Sequence, residues 1–182
     1  SGGVLSDFTQ VNELRYTALF TPAEDSTSDG VISVAIGAFT DLEDNSNATA
    51  SEISMDVETT VPSVVLTASG LGSDAMLTVG ESATISAQLS ERSLTFTEDD
   101  LIVSGGELSD FQAISTSLYT ATFTPSVNST TTGIVQVNAA TFSDFAGNDN
   151  ADHTTLSIPV VTPEPFLVFT SSDDNLKAGE TA

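Results

Sequence analysis

Cysteine and tryptophan are absent from this 182-residue chain, histidine occurs once, and lysine plus arginine total three. Without cysteine there is no disulfide and no thiolate metal site, so a folded unit must rest on its apolar core, with hard-cation binding as the one remaining staple. The three cations, Arg15, Arg92 and Lys177, face 26 acidic side chains, for a net charge of −23. A phosphate backbone needs a Lys/Arg surface, so nucleic acid is excluded as a partner. Anionic membrane surfaces are excluded on the same ground. No apolar run reaches the ~18–20 residues of a membrane helix, so no membrane insertion is expected. Such a chain repels itself, and salt or divalent cations would relieve the repulsion. The acidity is equally what a solubility device of an extracellular or halotolerant protein would look like.

What the chain does have is an internal repeat. Arg15-Tyr-Thr-Ala-Leu-Phe-Thr-Pro22 returns as Leu118-Tyr-Thr-Ala-Thr-Phe-Thr-Pro125, 103 positions later. The same spacing aligns Ser1-Gly-Gly-Val-Leu-Ser-Asp-Phe8 with Ser104-Gly-Gly-Glu-Leu-Ser-Asp-Phe111, and pairs Phe39 with Phe142, Asp41 with Asp144, Asn45 with Asn148 and Asn47 with Asn150. That period suits a whole domain rather than a solenoid turn. Residues 1–60 then form the later part of one unit, 61–160 a complete unit, and 161–182 the opening of a third. Near the third unit the register changes to 99, pairing Gly80-Glu81 with Gly179-Glu180. The four extra residues fall in the Gly70–Ser73 region, where a loop absorbs them cheaply.

Period-two alternation dominates, and helical periodicity is missing. Tyr119, Ala121 and Phe123 alternate with threonines, and Val135 and Val137, Ala83 to Leu89, and Leu156 to Val160 follow suit. The complete unit reads as strands near 63–69, 76–79 or 83–90, 101–104, 107–114, 117–124, 133–140 and 154–161, punctuated by glycine and proline. About seven short strands per repeat predict an all-β fold of tandem immunoglobulin-like antiparallel β-sandwiches. The Cys…Trp…Cys core of antibody domains is impossible here, so Phe96, Phe111, Phe123 and Phe142 are expected to supply its bulk.

Thr-Val-Pro at a unit start, Leu77…Gly80-Glu81-Ser-Ala, Asp100-Leu-Ile-Val-Ser-Gly-Gly, Tyr-Thr-Ala-Thr-Phe-Thr-Pro and Phe-Ser-Asp-Phe-Ala-Gly-Asn together span the chain. In this combination the sequence resembles the bacterial Ig-like repeats of large type I-secreted, RTX-type and biofilm-associated surface adhesins. The resemblance implies a sandwich fold, a tandem rod at the bacterial cell surface, and often calcium at domain junctions.

The loop Asp144-Phe-Ala-Gly-Asn-Asp-Asn150-Ala-Asp152, matched by Asp41-Leu-Glu-Asp-Asn-Ser-Asn47, is the strongest metal candidate. Calcium takes six to eight oxygens, which Asp, Asn and carbonyl groups can supply. Neither loop has EF-hand spacing. The same residues are also what a tight turn prefers. In a sandwich, the loop between the last two strands lies at the pole where the chain enters. It therefore faces the preceding unit's exit segment, Asp56 and Glu58, and the loop carrying Glu24, Asp25 and Asp29, with Glu91 beside them. The expected calcium ligands are Asp41, Asp44, Asn45, Asp56, Glu58, Asp144, Asn148 and Asp149. At the following junction Pro159, Val161, Pro163 and Glu164 replace Asp56, Glu58, Thr60 and Val61, so a stiff Pro-rich linker without metal is expected there. Glu98-Asp99-Asp100 reads as an exposed acidic turn that discourages strand pairing, and Asp173-Asp174 as a solvated loop.

No catalytic constellation is present. His153 is matched by Ala50 in the first copy and has no nucleophile elbow or cysteine to partner it. Ser104-Gly105-Gly106 lies between strands and has no helix to receive a phosphate. The expectation is a non-enzymatic, extracellular stalk segment whose partners are neighbouring repeats of the same chain. Any host or environmental ligand would be met through other parts of the parent protein. The alternative is a module that itself contacts carbohydrate or a host protein through Tyr16, Tyr119 or Phe145. An ice-binding or enzyme-accessory role is a further rival, for which Thr120-Ala-Thr122-Phe-Thr124 is the nearest approach to an ice-binding array. Residues 1–60 lack their first strands and are expected to be partly disordered or to borrow strands from a neighbouring molecule.

Overall fold

The computed structural model describes residues 1–163 together with Leu167 and Val168. The expected third unit therefore lies, from residue 164 onward, outside the described residues apart from that pair, as do Glu164 and Asp173-Asp174. Among the described residues there are eleven strands and one 3₁₀ turn, Glu98–Asp100, with no α-helix. β1 (Gly3–Asn12), β2 (Arg15–Pro22), β3 (Gly30–Val34) and β4 (Ser51–Met55) form two separate antiparallel pairs, β1–β2 and β3–β4. β5 (Val64–Ser69), β6 (Ala83–Leu89), β7 (Ile102–Ser104), β8 (Gly106–Ala113), β9 (Leu118–Pro125), β10 (Gly133–Val137) and β11 (Thr154–Ile158) form two sheets, β5–β6–β9–β8 and β11–β10–β7.

The alternation seen in the sequence sets the faces. Along β9 every second residue, Tyr119, Ala121, Phe123 and Pro125, is buried, while the intervening threonines look outward. β6 buries Ala83, Ile85, Ala87 and Leu89 opposite them. The other sheet contributes Val135, Val137 and Ile158, and loops add Leu77, Phe96 and Phe142 to the same core. Fully burying one such side chain is worth roughly 1.5–3 kcal/mol. Phe123 is completely buried. A Cβ at Gly106 or Gly133 would collide with its ring, so two glycines from different sheets form its slot. Phe20 stands in the same relation to Gly3 and Gly30.

The repeat extends to backbone detail. The β8–β9 ladder shifts register between Ser109 and Gln112 around Asp110 (φ 53°), and β1–β2 does so between Ser6 and Thr9 around Asp7 (φ 51°). Aspartate tolerates this left-handed conformation better than most residues, so the bulge is written into both copies. Gly2 and Gly105 share φ 75° at the corner that leads into each of these strands.

The strands fall close to their expected positions, with three differences. The 76–79 stretch is not a strand: Leu77 makes a single parallel bridge to Val160, and 83–89 is the ladder-forming segment. β10 stops at Val137 because Ala140 turns left-handed (φ 56°). β11 stops at Ile158 because Pro159 has no N–H to donate. Phe96, Phe123 and Phe142 are buried and Phe111 half-buried, as expected of the aromatic core.

The two copies differ in what covers them. Phe142 is 2% exposed, whereas Phe39, its counterpart, is 62% exposed. Phe142→Ala should therefore destabilise the second copy by about 3–5 kcal/mol, and Phe39→Ala should cost less than about 1 kcal/mol. Urea unfolding followed by circular dichroism separates the two.

Candidate metal centre

The segment leaving β4 is clamped before it reaches the second copy. The Thr59 hydroxyl donates to the Ala23 carbonyl at 2.7 Å and accepts from the Ser26 N–H at 3.0 Å. Thr162 repeats this one unit later, donating to Ser126 at 2.7 Å and accepting from Ser129 at 2.9 Å. Buried Pro62 and the Ser63–Ser90 backbone contact then start β5 against β6. The clamp places Glu58 beside the end of β6, where Glu91 lies, and beside the loop from Asp144 to Asn148.

That loop is built around one carboxylate. Asp144 Oδ1 accepts the N–H groups of Ala146, Gly147 and Asn148 at 2.7–2.9 Å, and Oδ2 accepts the Asn148 amide at 2.8 Å. Asn150, 2% exposed, closes the base of the loop: Oδ1 receives Thr141 and Phe142, and Nδ2 donates to the carbonyls of Asn138 and Asp152. In the first copy Asp41 accepts Glu43 and Asn45, and Asn47 donates to Ala35 and Thr49. Asp–x₃–Asn–x–Asn is thus a loop-tying pattern in both copies. Asn148 also reaches the Glu58 carbonyl, at 3.3 Å, joining the loop to the preceding segment.

One carboxylate oxygen each from Glu58, Glu91 and Asp144 lies within 4.8 Å of the other two. Glu58 is exposed, Glu91 half-buried and Asp144 buried. Calcium–oxygen bonds of about 2.4 Å allow ligands on one ion to stand up to about 5 Å apart, so the three fit a single cation. The donors are all hard oxygens, which suits Ca²⁺ or Mg²⁺ and not the softer metals. Asp144 Oδ2 has one protein donor and retains acceptor capacity. Arg92 lies with its guanidinium 5.0 Å from the Phe145 ring centroid, and both border the same hollow of about 280 Å³ with Glu58 and Glu91.

The charges act on one another. Desolvation raises the Glu91 carboxyl above its ordinary value, and Glu58, Asp144 and Asp25 push it further the same way. For Asp144, burial pushes upward, but the hydrogen bonds from Asn148, Gly147 and Ala146 outweigh it and hold the group below the usual carboxylate value. Asp41 is lowered chiefly by the Asn45 amide.

Of the eight expected ligands, Glu58 and Asp144 belong to this triad, with Asn148 bonded to both residues. Glu91, at the margin of the expected set, stands inside it. Its signal was a position just past β6, the strand that meets the incoming linker. Asp56 and Asp149 are exposed and outside the triad. Asp41, Asp44 and Asn45 occupy the equivalent loop one unit earlier. Asp25 contributes to the field at Glu91, whereas Asp29 accepts from Ser54 at 3.5 Å. The Glu98–Asp100 cluster is a capped turn in which Asp100 accepts from the Thr97 N–H at 2.7 Å. The aromatic residues expected at the surface divide: Tyr16 and Phe145 are exposed, but Tyr119 is buried and its hydroxyl donates to the Ser93 carbonyl at 3.0 Å. Tyr119 is therefore a core residue, drawn inward by its place on the apolar face of β9.

A family model described as a bacterial Ig-like domain matches residues 1–57 and again residues 58–160. No curated protein matches the chain.

The two perturbed carboxyls predict opposite responses to pH in chelator. Asp144 has a lowered folded value, so its contribution is complete above the ordinary value of 3.8 and is lost as pH falls through the depressed one. Glu91 has a raised value, so its contribution is complete below 4.5 and is lost as pH rises through the raised one. At about pH 7 Glu91→Gln should melt higher than the parent and Asp144→Asn lower, and the gain from Glu91→Gln should shrink towards about pH 4. Thermal melts across that range check both signs.

Proposed function

Because the chain belongs to the bacterial Ig-like domain family, we propose that it is an extender segment of a bacterial surface adhesin, stiffened by calcium at the junction between its units. Domains of this family are usually found in surface or extracellular proteins and are typically structural modules. In this reading residues 1–60 are the later part of one repeat, 61–160 a complete repeat and 161–182 the start of the next. The function is mechanical: a rod of sandwiches holds a binding domain away from the cell. The partners of each unit are its neighbours in the chain.

The observation that carries the calcium reading is the meeting of Glu58, from the segment after β4, with Glu91 and Asp144 of the following sandwich. Three carboxylates, one on the linker between the units and two on the following sandwich, destabilise each other when no cation is bound, and a shared Ca²⁺ would turn that repulsion into a cross-link between linker and sandwich. Clamping by Thr59 supports the same reading, since it fixes the linker on which Glu58 rides. At a spacing of 103 the counterpart of Glu58 is Val161 and that of Asp25 is Asn128, so the next linker and its neighbouring loop lack these two acids. We assign its stiffness to Pro159 and Pro163 instead.

Thermal melts in chelator, in millimolar calcium and in magnesium test the proposal. Calcium should raise the transition by several degrees through preferential binding to the folded state, with magnesium doing less. Glu58→Gln combined with Glu91→Gln should abolish most of that shift while leaving the chain folded, because neither residue belongs to the core. An undiminished calcium shift in the double variant, or no shift in the parent chain, would refute the junction site.

A further inference from the structure

Residues 58–160 carry a single Lys or Arg, Arg92, and it stands where Glu58, Glu91 and Asp144 meet. Arg92, Phe145, Glu58 and Glu91 border one hollow of about 280 Å³. Coulomb attraction alone would turn the guanidinium onto the glutamates beside it. It lies instead over the Phe145 ring, 5.0 Å from the centroid, while the three carboxylates stand within 4.8 Å of one another. Among the described residues no ion pair joins Arg92 to an acid. Like charges converge here, and the one counter-charge at hand is turned aside.

The backbone sets this arrangement. The Ser93 hydroxyl, fully buried, donates to the Ser143 carbonyl at 2.6 Å, and the Ser143 N–H donates to the Thr95 hydroxyl at 2.8 Å. These bonds pin the residues just after Arg92 to those just before Phe145, so the two side chains emerge next to each other. Phe145 is 62% exposed and has no part in the core. Its side chain does not tie the loop either, since Asp144 does so through the N–H groups of Ala146, Gly147 and Asn148. The equivalent residue of the first copy is Leu42, also exposed, so the loop accepts an apolar side chain without a ring. What the ring adds is a seat for the guanidinium.

We propose that Phe145 is a positioning residue that withholds Arg92 from Glu58 and Glu91, leaving the three carboxylates open to a divalent cation. A guanidinium over an exposed ring and a guanidinium paired with an exposed carboxylate are of similar strength, so the ring decides which arrangement is populated. Without the ring Arg92 closes on Glu58 and Glu91, and an incoming Ca²⁺ has to displace it from the oxygens that the metal needs. This role rests on the calcium junction; the position of Arg92 does not, and it is measured in chelator.

The full chain and its variants are followed by NMR in chelator and by calorimetric titration with calcium. In chelator the ring should shift the Arg92 Hδ protons of the parent chain upfield, and Phe145→Leu should abolish that shift. In the same variant the Arg92 Nε–H should move downfield and exchange more slowly as it meets a carboxylate, and adding Glu58→Gln with Glu91→Gln should reverse this. Calcium should bind Phe145→Leu about three- to tenfold more weakly than the parent. Phe145→Tyr, which keeps the ring, should bind like the parent, and Arg92→Gln at least as tightly. In the Arg92→Gln background Phe145→Leu should cost no affinity, which separates action through Arg92 from a direct part in shaping the loop. Equal weakening by Phe145→Leu with and without Arg92, or Arg92 protons that show no ring shift in chelator, would overturn the proposal. A parent chain that binds no calcium would refute the junction site, and the chelator spectra would still decide whether Phe145 keeps Arg92 from the acids.

Discussion

Burial of Phe123 between two glycines is the constraint on which the complete sandwich depends. The ring stands on β9 in one sheet, yet Gly106 opens β8 beside it and Gly133 opens β10 in the other sheet. Any side chain at either glycine would hold the backbone away from the ring, so sheet separation and strand entry are set together. The alternating residues of β6 and β9, Phe142 and Leu77 then fill the space that this contact defines. Phe20 with Gly3 and Gly30 preserves the same slot in the first copy, where the opposing strands are missing from the described residues. The local lock is repeated, and the burial that would make it stable is not.

The loop carboxylates serve two ends at once. Asp144 and Asn150 satisfy backbone groups that a turn at the end of a sandwich would otherwise strand, and hydrogen bonding keeps Asp144 ionised despite its burial. A carboxylate committed to its own loop still presents an oxygen towards Glu58 and Glu91. Building a junction from such a group means that the metal proposal and the turn chemistry are not rivals. The turn holds the Asp144 charge in place, and the preceding segment brings Glu58 up to it and to Glu91. Glu91 registers the conflict, with its carboxyl raised by its own desolvation and by three acidic neighbours.

Sequence and structure meet unevenly at this junction. The spacing of 103 and the period-two alternation were enough to locate nearly every strand, because each depends on contacts within a few residues or on the bare fact of duplication. Glu58 and Asp144 were also legible, since exit linker and last loop must share a pole in a sandwich. Asp56 and Asp149 were indistinguishable from them in sequence, being equally acidic and only two residues from Glu58 and one from Asn148 respectively. Which side chain of an acidic run turns towards the neighbouring unit depends on the Thr59 clamp and on the path of β5, neither of which has a one-dimensional signature. Leu77 is similar: its alternating surroundings suit a strand, but it is used for a single bridge to Val160.

The sequence by itself determined the all-β architecture, the duplication and the absence of disulfides. These follow from composition and from short-range stereochemistry, in which a residue's neighbours along the chain suffice. Only the tertiary structure decided that Tyr119 is core while Tyr16 is exposed, and that Glu91 joins Glu58 and Asp144. Those outcomes depend on which distant strands stand opposite a given face, and two copies of nearly the same local sequence can therefore end in different environments.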